Sequence, residues 1–386
     1  MRTPALAVAA LLAVLAAAVP ARADNPGVTA APILSVPLGA RALGMGGAFT
    51  AVGGDATSLQ YNPAGLARVN AQEADLTYIA GAGDATLQHF AYAGPAPFTG
   101  ISGNGYTSAA ASVLLSQSGT IQVNTLNANG SLGGSQSLNA GSDLVLSAGY
   151  AERVGVTPID YGDGSYGIDH FIGVGGKYLR STLVQTYTAT AWAADVGYLV
   201  SSPESGVSLG LSGLNLGGRL RYVNAADPLP AAARAGVAWQ GGVPSEHDII
   251  AAADGEYLPY EKSWRANVGV EYFWLKTYGL RCGYQINAGA QGGLTIGAGL
   301  RWRSQILLDY AYDIGDLLGN AQRVTLSYRF GGVTPSARAR QRRPFMETSP
   351  EHQELLDLEQ KQPEPDKTRR PQAPPTDEQG APGWIY

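Results

Sequence analysis

Between residues 266 and 330 apolar side chains recur at every second position, and that period constrains the fold more than any other feature of the chain. A strand turns successive side chains to opposite faces, so residues i, i+2 and i+4 share one. In 266–274 one face reads Ala266, Val268, Val270, Tyr272, Trp274 and the other Asn267, Gly269, Glu271, Phe273. The stretches 280–287, 294–302, 306–314 and 324–330 split the same way, with one face wholly apolar or aromatic. The opposite face is small, polar or charged, apart from Phe273 and Leu307. A soluble sandwich also alternates, because one face of each sheet is wet. Here aromatics gather towards the segment ends (Tyr272, Trp274, Trp302, Tyr310, Tyr312, Tyr328, Phe330), where lipid headgroups would lie. Short connections also alternate with longer ones, as in outer-membrane barrels. On this reading Ile296 faces lipid and Thr295 the lumen, so an arginine is expected to be far better tolerated at 295.

Weaker period-two stretches lie near 73–80, 86–94, 108–117, 142–152, 168–180, 188–200, 207–214, 234–239 and 248–257. The total is about fourteen strands, an even number that returns both ends of the chain to the periplasm. The Asn-, Ser- and Gly-rich stretch 118–141 then falls outside the cell as a loop, and 153–167 becomes a long periplasmic connection. The expected fold is all-β: a transmembrane antiparallel barrel over 72–331, surrounded by outer-membrane lipid.

The rest of the chain divides around this zone. Met1 and Arg2 precede an apolar run over 5–19, and Ala21-Arg22-Ala23 offers small residues for cleavage, so 1–23 reads as an export signal. No other stretch approaches the length of a membrane helix. The stretch 24–71 is Gly- and Ala-rich without clear period. From 332 to 386, Pro and charge dominate, which reads as a disordered periplasmic tail with one short helix over 349–361. The composition of 51 Gly, 20 Tyr and 15% charged residues suits closely packed strands with aromatic girdles. A net charge of -5 gives no sign of nucleic-acid binding. The one cysteine, Cys282, falls on the outward face, where it reads as a small apolar side chain.

Chemistry-bearing patterns are few. His89, His170, His247 and His352 lack metal-ligand spacing, and no nucleophile or phosphate-loop signature is present, so no enzyme activity, metal or cofactor is expected. The inward face instead carries charges of both signs: Lys177, Asp195, Asp254, Glu271, Arg281, Arg301, Asp309, Asp313 and Arg329. A buried charge without a partner is costly, so these are expected to form a bracing network, with substrate conduction the alternative.

The segment 39–52 (GARALGMGGAFTAV), followed by Gln60-Tyr61-Asn62-Pro63-Ala64-Gly65-Leu66, resembles the opening of PorV/PorQ-type outer-membrane proteins, which share the barrel of FadL-like transporters. Later pieces follow the same order: GVGGKY at 173–178, GLSGLNLG at 210–217, LRCGYQ at 280–285, DYAY at 309–312 and SYRF at 327–330. Two features depart from the family pattern: the tail beyond Phe330, and an acidic run reduced to Gly53-Gly54-Asp55. The resemblance implies a plug in the lumen formed by 24–71. Gly44, Gly46 and Gly47 would serve its tight packing. Asn62, Pro63, Ala64 and Gly65 would form the turn into the first strand, with Asn62 capping, Pro63 fixing the backbone and Gly65 in a conformation closed to most residues. It implies passage or binding of hydrophobic small molecules. The alternatives are a component of type IX protein secretion that handles secreted cargo proteins, or an envelope scaffold.

Overall fold

The computed structural model describes residues 27–81, 84–103, 106–161, 164–243, 246–286, 293–314 and 321–331. The export signal, the tail with its short helix, and several turn residues lie outside the described residues.

Strands β1 (Gln72–Ala80), β2 (Thr86–Pro95) and β3 (Thr107–Gln117) are followed by a separate hairpin, β4 (Thr120–Leu126) and β5 (Leu132–Asn139). The wall resumes with β6 (Gly141–Tyr161), β7 (Gly164–Leu183), β8 (Tyr187–Ser202) and β9 (Val207–Leu216). A short ribbon, β10 (Arg219–Arg221) and β11 (Ala226–Pro228), precedes β12 (Ala232–Val243), β13 (His247–Leu258), β14 (Ser263–Trp274) and β15 (Tyr278–Ile286). β16 (Leu294–Trp302), β17 (Ile306–Asp313) and β18 (Ala321–Phe330) complete it. Fourteen of these strands form one closed antiparallel barrel, and β18 pairs with β1 from Phe330 against Gln72 to Gln322 against Ala80.

The two faces separate as the period requires. Ile296 is 44% exposed and Leu280 65%, whereas Thr295, Arg281 and Glu271 are buried inside. Rings pair along the outer surface near both rims: Tyr178 with Trp192 and Tyr257 with Trp264 at one, Trp274 with Tyr278 and Tyr328 with Phe330 at the other. A closed ladder wearing an apolar band between aromatic girdles is an outer-membrane barrel, because backbone that faces lipid must be hydrogen-bonded within the wall. Phe273 and Leu307, the apolar exceptions on the inner face, are both buried. Cys282 is exposed on the outer one.

β1 begins and β18 ends at the same rim, called here the terminal end; the opposite rim is the loop end. Three connections differ from the sequence expectation. Residues 153–161 and 164–167 continue β6 and β7, so the long connection expected at 153–167 is a strand extension past the terminal end. β-Branched Val154, Val156, Thr157 and Ile159 favour that, and Pro158 is tolerated because β3 stops pairing at Glu152 and leaves this edge free. The loop 118–141 holds the β4–β5 hairpin, whose residues are exposed on both faces and therefore carry no apolar period. The ribbon β10–β11 folds into the mouth: Leu220 and Leu229 are buried with Leu179, Ala189, Ala191 and Ala193, and the Tyr222 hydroxyl donates to Ser181 Oγ at 2.7 Å.

Among the described residues the ladder opens between β8 and β9 at the loop end. β8 pairs with β9 only from Ala194 to Ser202, with a register shift between Ala194 and Val196, so 187–193 pairs with β7 alone.

Thr295 faces the lumen, and the space beside it is filled by the N-terminal segment. Its Oγ1 accepts a hydrogen bond from Gly46 N at 3.1 Å. Ile296→Arg is expected to abolish the heat-modifiable folded form, since a charge at lipid depth costs about 2–4 kcal/mol. Thr295→Arg should leave that form on gels but expose 39–69 to protease. Equal loss of folded barrel in both variants would contradict the assignment of faces.

Candidate functional site

The N-terminal segment enters the site because its own residues cannot make strands. A 3-10 turn (Pro32–Ser35), helix α1 (Ala40–Gly44), helix α2 (Ser58–Tyr61) and a 3-10 turn (Pro63–Arg68) are linked by tight Gly turns. None of these pieces is long enough to hold itself in water. They are held instead by the inner wall.

The strongest hold is a chain of charge. Arg41 of α1 forks onto Glu271 of β14, with Nε to Oε2 at 2.9 Å and Nη2 to Oε1 at 2.8 Å, while its Nη1 reaches Asp55 at 2.9 Å. Glu271 also accepts from Arg281 Nε at 2.6 Å, and Arg281 Nη1 continues to Asp309 at 2.7 Å. Burial opposes the Arg41 charge, but the Glu271 and Asp55 carboxylates outweigh it and hold the guanidinium above its ordinary range. Phe273 finds its place here: Arg301 and Arg281 lie over its ring at 4.4 and 5.4 Å from the centroid.

A second hold uses backbone. Asp254 Oδ2 accepts from Phe49 N at 2.8 Å, Thr50 N at 2.9 Å and Thr50 Oγ1 at 2.7 Å, with Arg234 of β12 at 3.4 Å. Two successive N–H groups pointing at one carboxylate form an anion-binding nest.

The third is contact without side chains. Gly46 has φ 66°, and a Cβ there would fall 2.7 Å from Val268 O and 2.8 Å from Tyr284 N. Across from it, a Cβ at Gly269 or Gly283 would meet the Met45–Gly46 backbone. Gly44 sits against Gly297, and Gly47 offers its carbonyl to Arg234 Nη2 at 2.9 Å.

Asn62 caps the turn that leads towards β1. Its Oδ1 accepts from Ala64 N at 3.1 Å and its Nδ2 donates to Thr50 O and Tyr198 O. Pro63 opens the turn, and Ala64 is fully buried. Gly65 differs from expectation: its φ is not in the left-handed region, and it is required for space, since a Cβ would stand 3.0 Å from Gly53 Cα.

The nine inward charges are therefore not one network. Arg281 joins Glu271 to Asp309, and Glu271 carries the chain on to Arg41, whereas Asp254 serves the backbone nest. Lys177 and Asp195 pair at 2.9 Å and hold Asn215 at the β8–β9 register shift. Arg329 pairs with Glu73 at 2.5 Å, and Glu73 also accepts from Ala56 N at 3.0 Å. Arg301 and Asp313 form no ion pair among the described residues. Sequence reasoning missed Arg41, Asp55, Glu73, Arg234 and Asn215. Arg41 was visible as the one charge in 39–52, and Glu73 and Arg234 lie on the inward period of their strands.

Around these holds the lumen is packed. Towards the terminal end, Met45, Phe49, Tyr61 and Ala64 meet Phe171, Leu199, Ile250 and Ala252, and Leu59, Leu66 and Val69 meet Ala91, Ala93, Ala110 and Ala151. Towards the loop end the chain climbs along the wall. Ala31, Ile33 and Leu38 cluster with Ile79, Leu87, Leu114, Val145 and Leu179. Ala30 N reaches Pro228 O at 2.9 Å, so the first described residues lie at the loop end. A cavity of about 70 Å³ remains between 33–38 and the wall.

No family model and no curated protein matches the chain. Among solved structures, the toluene transporter TbuX of Ralstonia pickettii is similar, with 12% identity over 76% of this chain and 98% of that one and a TM-score of 0.47. The toluene transporter TodX of P. putida gives 11% identity, 76% and 99% coverage and a TM-score of 0.46. A FadL homologue of Pseudomonas aeruginosa gives 12%, 77%, 99% and 0.40. At these values the likeness adds nothing to what the closed ladder establishes: a fourteen-stranded barrel of the outer-membrane type.

Glu271→Leu leaves the buried Arg281 and the half-buried Arg41 each short of a partner and should cost about 3–5 kcal/mol. Limited proteolysis should then cut within 39–69 while the barrel stays heat-modifiable; unchanged protection would show that the charge chain does not hold the segment.

Proposed function

We propose that this barrel takes up hydrophobic small molecules from the loop end and passes them towards the bilayer, with the N-terminal segment as its plug. One observation carries the reading: the lumen is charge-locked and packed towards the terminal end, while its loop-end half is lined by an apolar cluster beside an incomplete wall. A molecule held among Ile33, Leu38, Leu114 and Val145 has no straight way down. The stretch 187–193, which pairs on one side only, is where the wall offers least backbone resistance to sideways passage. The neighbouring β10–β11 ribbon lines that place from inside through Leu220.

The described state is closed. A cavity of about 150 Å³ accommodates benzene, about twice the 70 Å³ present here, so a ligand must displace 33–38. That movement leaves Arg41 and the Asp254 nest in place, because both act beyond residue 38. The Gly44–Gly47 and Asn62–Gly65 motifs are then plug-seating residues, and the wall charges are braces.

Deleting 27–38 tests the reading. In cells that express the protein, the deletion should raise uptake of small aromatic hydrocarbons several-fold without loss of the heat-modifiable barrel. Uptake identical to that of the intact chain would contradict it and favour the protein-secretion role.

A further inference from the structure

The loop-end cavity is chemically divided. One side is apolar, made by Leu34, Val36 and Leu38 with Leu114, Val145 and Leu214. The other carries a row of charge on three adjacent strands. Arg234 on β12 stands opposite Glu256 on β13, which stands opposite Arg265 on β14. All three line the cavity.

The row is not self-sufficient. Arg234 is 8% exposed, spends Nη2 on Gly47 O and Asp254, and its Nε has no hydrogen-bond partner among the described residues. Arg265 pairs with Glu261 at 3.3 Å. Glu256 is half-buried and forms no ion pair among the described residues. The wall thus holds one buried donor without a partner and, across the strand from it, one half-buried carboxylate outside any ion pair among the described residues.

Three kinds of small molecule meet this wall differently. A pure hydrocarbon would displace water from Arg234 and Glu256 and return no hydrogen bond. A carboxylate would satisfy Arg234 but stand against Glu256. A neutral hydroxyl both accepts and donates, so of the three heads it alone matches a donor and a carboxylate on neighbouring strands while its apolar body lies on the leucine side. We propose that the cavity selects small molecules with an apolar body and a neutral hydroxyl head, the alcohols and phenols. This inference rests on the uptake reading above and names the substrate class of the same site.

Protein-dependent uptake of toluene, benzyl alcohol and benzoate, which share a ring and differ in the head, tests it in cells expressing the full chain. Benzyl alcohol should exceed both others by about tenfold, the factor that one hydrogen bond of ordinary net strength supplies. Glu256→Leu should erase the preference over toluene, and Glu256→Gln, which keeps an accepting oxygen, should retain most of it. Heat-modifiability confirms that each variant is folded. If toluene or benzoate is preferred, or Glu256→Leu keeps the wild-type order, the head-group selection is overturned while the uptake reading stands. If none of the three enters faster than in cells without the protein, the uptake reading itself fails.

Discussion

A peptide N–H or C=O that faces hydrocarbon has no water to turn to, so the backbone of a spanning sheet must find its partners within the wall. That requirement is met where β18 returns to β1 and closes an antiparallel ladder of fourteen strands. Once the ladder closes, the strand period sends every second side chain into an enclosed space. The outer face is then apolar by solvent, and the inner face must solve the problem of its own polar groups.

The N-terminal segment is the solution to that problem as much as its beneficiary. Glu271, Asp254 and Glu73 are buried carboxylates on the wall, and each takes donors from the segment: the Arg41 fork, the Phe49–Thr50 nest and Ala56 N. Replacing such pairs by apolar packing is often neutral or favourable for stability, so their value lies in specifying one arrangement. Glycines on both sides then let the backbones touch, which fixes the depth of α1 against β14, β15 and β16.

Most of the wall was legible in the sequence because lipid enforces the period on one face. The five strands from 263 to 330 read clearly, since nothing but apolar side chains is tolerated outside. Where that solvent is missing the signal fades. The β4–β5 hairpin is wet on both faces, and the β6–β7 extension runs past the lipid, so neither showed a period. The Gly44–Gly47 and Asn62–Gly65 motifs were legible as resemblance and as glycine density, but the partners were not: Arg41 meets Glu271 across 230 residues of chain, a distance no local pattern spans. Thr295 illustrates the limit. Its inward direction follows from its neighbours, yet only the fold reveals that Gly46 already occupies the space beside it.

The account stands on the lumen being shut by a segment that the charge chain and the Asp254 nest hold in place. Current across planar bilayers that contain the purified full chain tests this most directly. The intact protein should give no stable conductance steps at either polarity, and the double variant Arg41→Leu, Asp254→Leu should open in discrete steps. Steady conductance by the intact chain, or silence from an inserted, heat-modifiable double variant, would contradict it.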